Sequence, residues 1–111
     1  VDAAVLSKMA QRGQIKGCVV DGPLAFDNAI SKEAAEAKGI TSEVAGNADI
    51  ILVPNLGVGN ALTKAITYIA KKTVIAATVG AAAPLVFTSR TESRQGKLLT
   101  IALAVYSAER G

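Results

Sequence analysis

A cluster of hydroxyl groups and a guanidinium near residue 90 has the side-chain types that bind an anion. Thr88, Ser89 and Arg90 follow a short apolar run at residues 85–87, which Pro84 opens. Arginine offers a planar fork of donors that matches phosphate or carboxylate, and a neighbouring serine can donate its hydroxyl to the same ligand. Since a short, partly β-branched apolar run is typical of a buried strand, the sequence predicts an anion site at a strand end.

The residues that follow this cluster predict the start of a helix. Glu92 and Ser93 lie shortly before the apolar segment at residues 98–106, and a Ser or Thr in this place suits an N-cap. The first amides and the positive dipole end of that helix would face the same region as Arg90. The alternative is a surface turn with a capping serine and a solvated arginine, because three polar residues do not make a specific motif.

A second candidate for anion binding is the glycine-bearing stretch that contains Gly57, Gly59 and Asn60. It lies between a predicted strand and a predicted helix, where exposed backbone amides can hold an anion. Its spacing is neither the dinucleotide pattern G-x-G-x-x-G nor that of a P-loop. A pocket-lining turn and a purely structural turn therefore both remain open.

Composition and charge limit the classes of partner. The chain has 111 residues, half of them apolar and only 4% aromatic, so one domain with an aliphatic core is expected. Twelve basic and nine acidic residues give a net charge of +3 that is spread along the chain. Because neither a basic stripe nor an interleaved aromatic platform is present, we expect small anions as ligands and no nucleic acid.

The absence of histidine and the single cysteine limit the chemistry further. They exclude an internal disulfide, a Cys/His zinc site and any mechanism with a histidine base. Cys18 lies in an apolar run and is predicted to be a buried small hydrophobe rather than a nucleophile. No apolar run approaches 18 residues and the first residues do not form a signal peptide, so we expect a cytoplasmic protein without a membrane partner.

The periodicity predicts an α/β fold in which strands alternate with helices. Predicted helices cover residues 2–12, 24–30, 31–38, a segment from 57 to 72, and 98–106. Predicted strands cover residues 16–20, 49–53, 73–79 and 85–88. The sheet should be small and mostly parallel, but the last two strands are too close in sequence for a helical crossover and should pair antiparallel.

The last predicted helix is apolar almost all round, whereas a terminal helix of a small domain normally has one apolar stripe. Its other face should therefore be covered by a second chain or by a domain outside this sequence. We accordingly divide the chain into an α/β domain at residues 1–91 and a terminal helix at residues 92–111.

Four segments together resemble a known family. They are D-G-P-L-A-F-D-N-A at residues 21–29, A-D-I-I-L-V-P-N at 48–55, G-N at 59–60, and T-S-R at 88–90 with E-S after it. In order and spacing they resemble the carboxy-terminal part of the phosphate acyltransferases. The pattern is most similar to the phosphate butyryltransferases, with the phosphate acetyltransferases as near relatives.

The resemblance implies a fold and an activity. Family members are soluble two-domain α/β enzymes, about three times this length, with an isocitrate/isopropylmalate-dehydrogenase-like architecture. The chain would be the second domain, a three-layer sandwich with a mixed sheet, and its terminal helix would pack on the amino-terminal domain. The family transfers an acyl group between coenzyme A and inorganic phosphate without metal or cofactor, using acyl-CoA or acyl phosphate as substrate, and commonly forms homodimers.

The resemblance also assigns residues. Ser89 and Arg90 match the catalytic Ser-Arg pair, in which the arginine holds phosphate while the coenzyme A thiolate attacks the acyl carbon. Thr88, Gly59 and Asn60 match family positions that we assign to substrate binding without an individual role. The alternative for Gly59 and Asn60 is a role in the fold or in the dimer contact alone.

One departure from the family concerns the base. Family members usually carry an aspartate, proposed to activate the thiol, at the positions that Arg94, Gln95 and Gly96 occupy here. Glu92 is the nearest carboxylate and would replace it if the loop turned it inward. Two hypotheses follow: a fragment of a phosphate acyltransferase that is inactive alone, or a non-catalytic α/β assembly module that has lost the base.

Overall fold

The computed structural model describes residues 1–109, in which helices are joined by extended segments. The helices are α1 (Asp2–Gln11), α2 (Phe26–Ile30), α3 (Lys32–Ala37), α4 (Leu56–Lys64) with a π-helical continuation (Ala65–Ile69), and α5 (Arg94–Ala108). Backbone contacts divide the chain into two compact units, Val1–Leu52 and the part from Val53 onward. This division does not test the packing predicted for residues 92–111 on another domain, which stays a prediction.

The first helix ends at a glycine, as the sequence predicts. Gly13 has a φ of +72°, and its N–H donates to the Ala10 carbonyl at 2.9 Å. The next amide, of Gln14, donates to the Met9 carbonyl at 2.9 Å. This pair of bonds satisfies carbonyls that the end of a helix leaves without partners, and it requires a residue that tolerates a left-handed backbone.

The third helix has the predicted signals at both ends. The Ser31 hydroxyl accepts a hydrogen bond from the Ala34 N–H at 3.2 Å and so caps its first turn. At the other end Gly39 has a φ of +67° and donates to the Glu36 carbonyl at 2.9 Å. The N-cap and the terminating glycine are therefore both confirmed.

The core of the first unit is built from small side chains around α2 and α3. Its buried apolar residues are Ala29, Ala35 and Ala45. The segment after α3 is tied to α2 by two backbone bonds, from the Gly46 N–H to the Asn28 carbonyl at 2.7 Å and from the Ala48 N–H to the Ala29 carbonyl at 3.1 Å. Gly46 also lies so close to Lys32 that a Cβ there would be 2.5 Å from the Lys32 Cα. The segment can approach α3 only because residue 46 has no side chain.

The prediction for Cys18 is wrong, because this side chain is exposed. The expected burial depended on a strand at residues 16–20, and that segment forms no strand in the structure. Without a neighbouring strand, the apolar composition of the run does not bury it.

The predicted mixed sheet is not confirmed. Within residues 1–109 the only β pairing is an isolated antiparallel bridge between Thr78 and Leu85. This bridge joins the third and fourth predicted strands in the predicted direction. The other predicted strand segments carry no ladder, since β-branched apolar residues suit a pleated surface but do not provide the partner whose hydrogen bonds define a strand.

The second unit begins with a helix that changes its winding. The Asn55 side-chain oxygen accepts from the Val58 N–H at 3.0 Å and caps α4. From Ala65 the winding widens, and the Ala70 N–H donates to the Ala65 carbonyl at 3.0 Å. Such i to i+5 turns are uncommon, and they often lie at functional sites.

The last helix begins earlier than predicted and is mostly uncovered. It spans Arg94–Ala108 around the predicted segment 98–106. Its buried residues are Gly96, Thr100 and Ala104, spaced four apart along one narrow stripe. Large apolar side chains remain exposed elsewhere on it, namely Leu98, Leu99, Ile101, Val105 and Tyr106. No helix within residues 1–109 is both long and apolar enough to cross a membrane.

Candidate functional site

Residues 89–92 form a reverse turn directly before α5. The Ser89 carbonyl accepts from the Glu92 N–H at 3.1 Å, which places Arg90 and Thr91 at the two central positions of the turn. The Arg90 side chain is exposed, and no residue in the described part of the chain forms an ion pair with it. The guanidinium therefore stands at the tip of a hydrogen-bonded turn with its donors available.

Side-chain bonds close the same turn from both ends. The Ser89 Oγ accepts from the Thr91 N–H at 3.3 Å, and the Glu92 Oε2 accepts from the Ser89 N–H at 3.3 Å. The bond from the Ser89 N–H to the Glu92 carboxylate is the one that a glutamate makes in a capping box. The serine half differs, because the Ser89 hydroxyl accepts from Thr91 and the Glu92 N–H donates to the Ser89 carbonyl. The Glu92 carboxylate is therefore partly engaged in holding the turn.

Gly96 connects this turn to the start of α5. The Ser93 hydroxyl accepts from the Gly96 N–H at 3.0 Å, which confirms the predicted serine cap. A Cβ on Gly96 would lie 2.9 Å from Glu92 Cγ and 3.0 Å from Glu92 Oε1. The carboxylate of Glu92 thus occupies the space that a side chain at position 96 would need.

A line of hydroxyl groups runs from the π-helical segment to the turn. The Tyr68 hydroxyl lies 2.7 Å from Thr91 Oγ1, and Thr91 Oγ1 lies 2.9 Å from Ser89 Oγ. The ammonium of Lys64 lies 5.5 Å from the centroid of the Tyr68 ring, within the range of a cation–π interaction. Two segments that are 23 residues apart in sequence are joined in this way.

Other predicted site residues are placed apart from this network. Gly59 and Asn60 are the fourth and fifth residues of α4, and the Gly59 N–H is used by the helix, donating to the Asn55 carbonyl at 3.2 Å. A Cβ on Gly59 would be 3.1 Å from Val53 Cγ2, so a side chain here would require that methyl group to move by a few tenths of an ångström. Thr88 is exposed just ahead of the turn. No hydrogen bond in the described part of the chain joins these three residues to Ser89, and their binding roles stay predictions.

Sequence reasoning missed Tyr68 and one use of Glu92. Nothing in the sequence signals that a tyrosine in a helical apolar stripe reaches Thr91. The pattern S-x-x-E at residues 89–92 is, by contrast, a readable capping-box signal. It would have shown that the Glu92 carboxylate turns back to the Ser89 amide.

The described residues contain no group of three or more His, Cys, Asp or Glu side chains arranged to hold a metal ion. A shallow depression of about 500 Å³ lies between the segment at residues 77–84 and the last turns of α5. Small side chains line it, including Ala77, Ala104 and Ser107. Ser89 and Arg90 are not among its lining residues.

Comparison with known proteins gives a consistent family. Residues 1–105 match the model of the family described as phosphate acetyl/butaryl transferase. The chain is 55% identical over 109 residues to a probable phosphate butyryltransferase of Bacillus subtilis (strain 168), covering 98% of this chain and 36% of that protein. It is 50% identical over 108 residues to a phosphate acetyltransferase of Thermotoga maritima, covering 97% of this chain and 37% of that protein.

A solved structure is also similar. It is a branched-chain phosphotransacylase from Enterococcus faecalis V583, with a TM-score of 0.78 and 34% sequence identity. The match covers 95% of this chain and 40% of that one. The chain therefore spans little more than a third of the length of the proteins it resembles.

Proposed function

The chain belongs to the phosphate acetyl/butyryl transferase family, and from this premise we propose that the intact protein transfers an acyl group between coenzyme A and inorganic phosphate. Acyl-CoA and phosphate would give acyl phosphate and free coenzyme A, and the reverse. The proposed reaction uses neither a metal nor a bound cofactor. The chain contributes the phosphate-binding turn at residues 89–92.

The observation that carries the proposal is the geometry of this turn. Arg90 is exposed at the tip of the turn, directly after Ser89 in the sequence and just ahead of α5. Phosphate suits such a site, because a planar guanidinium forms two parallel bonds with an oxyanion and the start of a helix favours negative charge. When the thiolate of coenzyme A attacks the acyl carbon, the departing phosphate gains charge, which Arg90 would stabilise.

Ser89 and Glu92 have different parts in this proposal. Ser89 donates its hydroxyl to the phosphate or to the developing oxyanion. Glu92 is the nearest carboxylate for activating the thiol, but its bond to the Ser89 N–H supports a second part, that of holding the turn. Thr88, Gly59 and Asn60 complete the proposed substrate-binding set.

The remainder of the site would come from elsewhere in the protein. Relatives are much longer than this chain, which covers 36% of the Bacillus subtilis protein. We assign the facing wall of the cleft to an amino-terminal domain in the part of the protein that corresponds to the rest of those relatives. The exposed apolar side chains of α5 would pack on that domain or on a second copy in a homodimer. The completed fold would carry the mixed sheet of the family, and the enzyme would act in the cytoplasm.

Exchange of Arg90 in the intact protein tests the proposed phosphate clamp. Arg90→Ala should weaken phosphate use by about 2–5 kcal/mol, which is about 30-fold or more in kcat/KM for phosphate. Arg90→Lys should recover only part of this, because it keeps the charge and loses the planar fork. Arg12→Ala is the matched control, since it removes an exposed arginine at the end of α1. Equal kinetics for Arg90→Ala and Arg12→Ala would contradict the assignment.

The alternative function is a non-catalytic α/β assembly module, which the engagement of Glu92 and the missing family aspartate favour. A thioester assay of the intact protein with acyl phosphate and coenzyme A separates the two hypotheses, because only the enzyme gives turnover. The 111-residue chain alone should give no thioester above background. Appreciable turnover by the chain alone would contradict the view that its site needs a second wall.

A further inference from the structure

We propose that Tyr68 is a positioning residue of the phosphate site, which acts through Thr91 to fix the Ser89 hydroxyl as a donor toward the bound anion. This inference rests on the proposed phosphate-binding function and adds a residue to it. Tyr68 itself makes no contact with the phosphate in this proposal.

The Ser89 hydroxyl keeps its proton free for a ligand when its acceptor positions are filled. A hydroxyl has one donor and two acceptor positions. The Ser89 Oγ accepts from the Thr91 N–H, and it lies 2.9 Å from Thr91 Oγ1. If Thr91 also donates its hydroxyl, both acceptor positions of Ser89 are filled and its own proton remains for a ligand that accepts. An anion is such a ligand, since a phosphate oxygen has no proton to give.

Tyr68 sets the direction in which Thr91 donates. Thr91 Oγ1 lies 2.7 Å from the Tyr68 hydroxyl, and a phenol is a better donor than an aliphatic hydroxyl. When Tyr68 donates to Thr91, the proton of Thr91 is directed to Ser89. Each bond in such a chain polarises the next one, so that the last hydroxyl becomes a stronger donor.

The local backbone and a neighbouring cation hold the Tyr68 ring in place. Tyr68 lies in the π-helical turn Ala65–Ile69, whose wider winding changes the direction of its side chains relative to a continued α-helix. Lys64, one turn earlier, lies over the face of the ring. The π-turn and the cation thus both fix the ring whose hydroxyl meets Thr91.

The test uses steady-state kinetics of the intact protein carrying Tyr68→Phe. We expect the KM for phosphate to rise about 3- to 10-fold, the effect of one lost hydrogen bond, with an unchanged KM for acyl-CoA. Thr91→Val should act in the same direction. Thr67→Val is the matched control, because it removes a hydroxyl from the same π-turn that is bonded only within the helix, to the Thr63 carbonyl at 2.8 Å.

A double-mutant cycle with Ser89→Ala separates positioning from a structural effect. Because Tyr68 acts through Ser89, Tyr68→Phe should change the phosphate KM of the Ser89→Ala protein less than about twofold, within the error of additivity. Thermal midpoints of Tyr68→Phe and Thr67→Val should agree. An unchanged phosphate KM in Tyr68→Phe, or an equal effect with and without Ser89, would overturn the inference.

Calorimetric titration with inorganic phosphate keeps the two proposals apart. If the wild-type protein has no acyl transfer, the proposed function fails, and the inference is then decided by binding alone. Weaker phosphate binding in Tyr68→Phe than in Thr67→Val would support it. Equal binding in the two variants, or no phosphate binding by the wild-type protein, would refute it.

Discussion

Alanine substitutions at Gly46 and Gly39 measure how much a close backbone contact at residue 46 contributes to the free energy of unfolding. Both glycines have a left-handed backbone, with φ of +79° and +67°. A Cβ on Gly39 would meet nothing within 4 Å, whereas one on Gly46 would lie 2.5 Å from the Lys32 Cα and 2.7 Å from its nitrogen. Alanine at either position has the same conformational cost, and only alanine at position 46 has a steric one.

The expected magnitudes follow from these two terms. Gly39→Ala should lower the free energy of unfolding by about 1–2 kcal/mol, the cost of a left-handed backbone with a side chain. Gly46→Ala adds an overlap with main-chain atoms that cannot rotate away, for about 1–3 kcal/mol more. We therefore expect a total loss of about 2–5 kcal/mol for Gly46→Ala, the two terms together.

Urea unfolding of the intact protein, followed by far-ultraviolet circular dichroism, measures the difference between the two variants. Hydrogen exchange gives a local measurement, because the Gly46 N–H is bonded to the Asn28 carbonyl of α2. This amide should exchange faster if the overlap with Lys32 displaces the segment and breaks that bond. Equal urea midpoints for Gly39→Ala and Gly46→Ala would refute the reasoning, since the overlap would then have no energetic consequence.

Three further predictions concern an ion pair, a cap and a tight contact. The pKa of the Asp27 carboxyl is below its ordinary value, chiefly because Lys38 donates to it at 2.7 Å. The ion pair therefore stabilises the fold at pH values above the unfolded-state pKa of Asp27, and this stabilisation is lost as the pH falls through the pKa of the folded state. Lys38→Met should raise that pKa toward the ordinary value in a carboxyl NMR titration, and an unmoved titration would contradict the assignment. Ser31→Ala should lower stability by about 1 kcal/mol in thermal unfolding, whereas Ser31→Asp should not, because aspartate also caps. Gly96→Ala should change the free energy of unfolding by no more than about 1 kcal/mol, since alanine favours the helix. It should nevertheless displace the Glu92 carboxylate and speed amide exchange in the turn at residues 89–92. Unchanged exchange would show that Glu92 does not hold this turn.

Local chemistry was sufficient to predict four of the helix caps and stops. The Ser31 cap, the Ser93 cap and the terminating Gly13 and Gly39 each depend on residues within a turn of one another, so their types and spacing determine the outcome. The S-x-x-E pattern at residues 89–92 is equally local, although the prediction did not use it. These features are readable because the hydrogen-bonding partners lie close in sequence.

Contacts between distant segments were not predictable in the same way. Tyr68 meets Thr91 across 23 residues, and no pattern in the sequence announces the π-turn that carries it. The exposure of Cys18 has a related cause, since its burial required a neighbouring strand. The composition of an apolar run indicates that it can be buried, but it does not specify which segment packs against it.

The extended apolar run at residues 50–52 affects how the 111-residue chain would behave if it were produced without the rest of the protein. Ile50 is 85% exposed and Leu52 is 77% exposed, in a segment that carries no ladder. An extended apolar segment with unpaired backbone N–H and C=O groups can pair with the same segment of another copy. Such pairing leads to aggregation and to binding by chaperones. Asp49 and Pro54 flank the run, one with charge and one without an N–H, as gatekeepers against fibre growth. The 111-residue chain produced alone should therefore aggregate, and its aggregates should be amorphous rather than fibrillar.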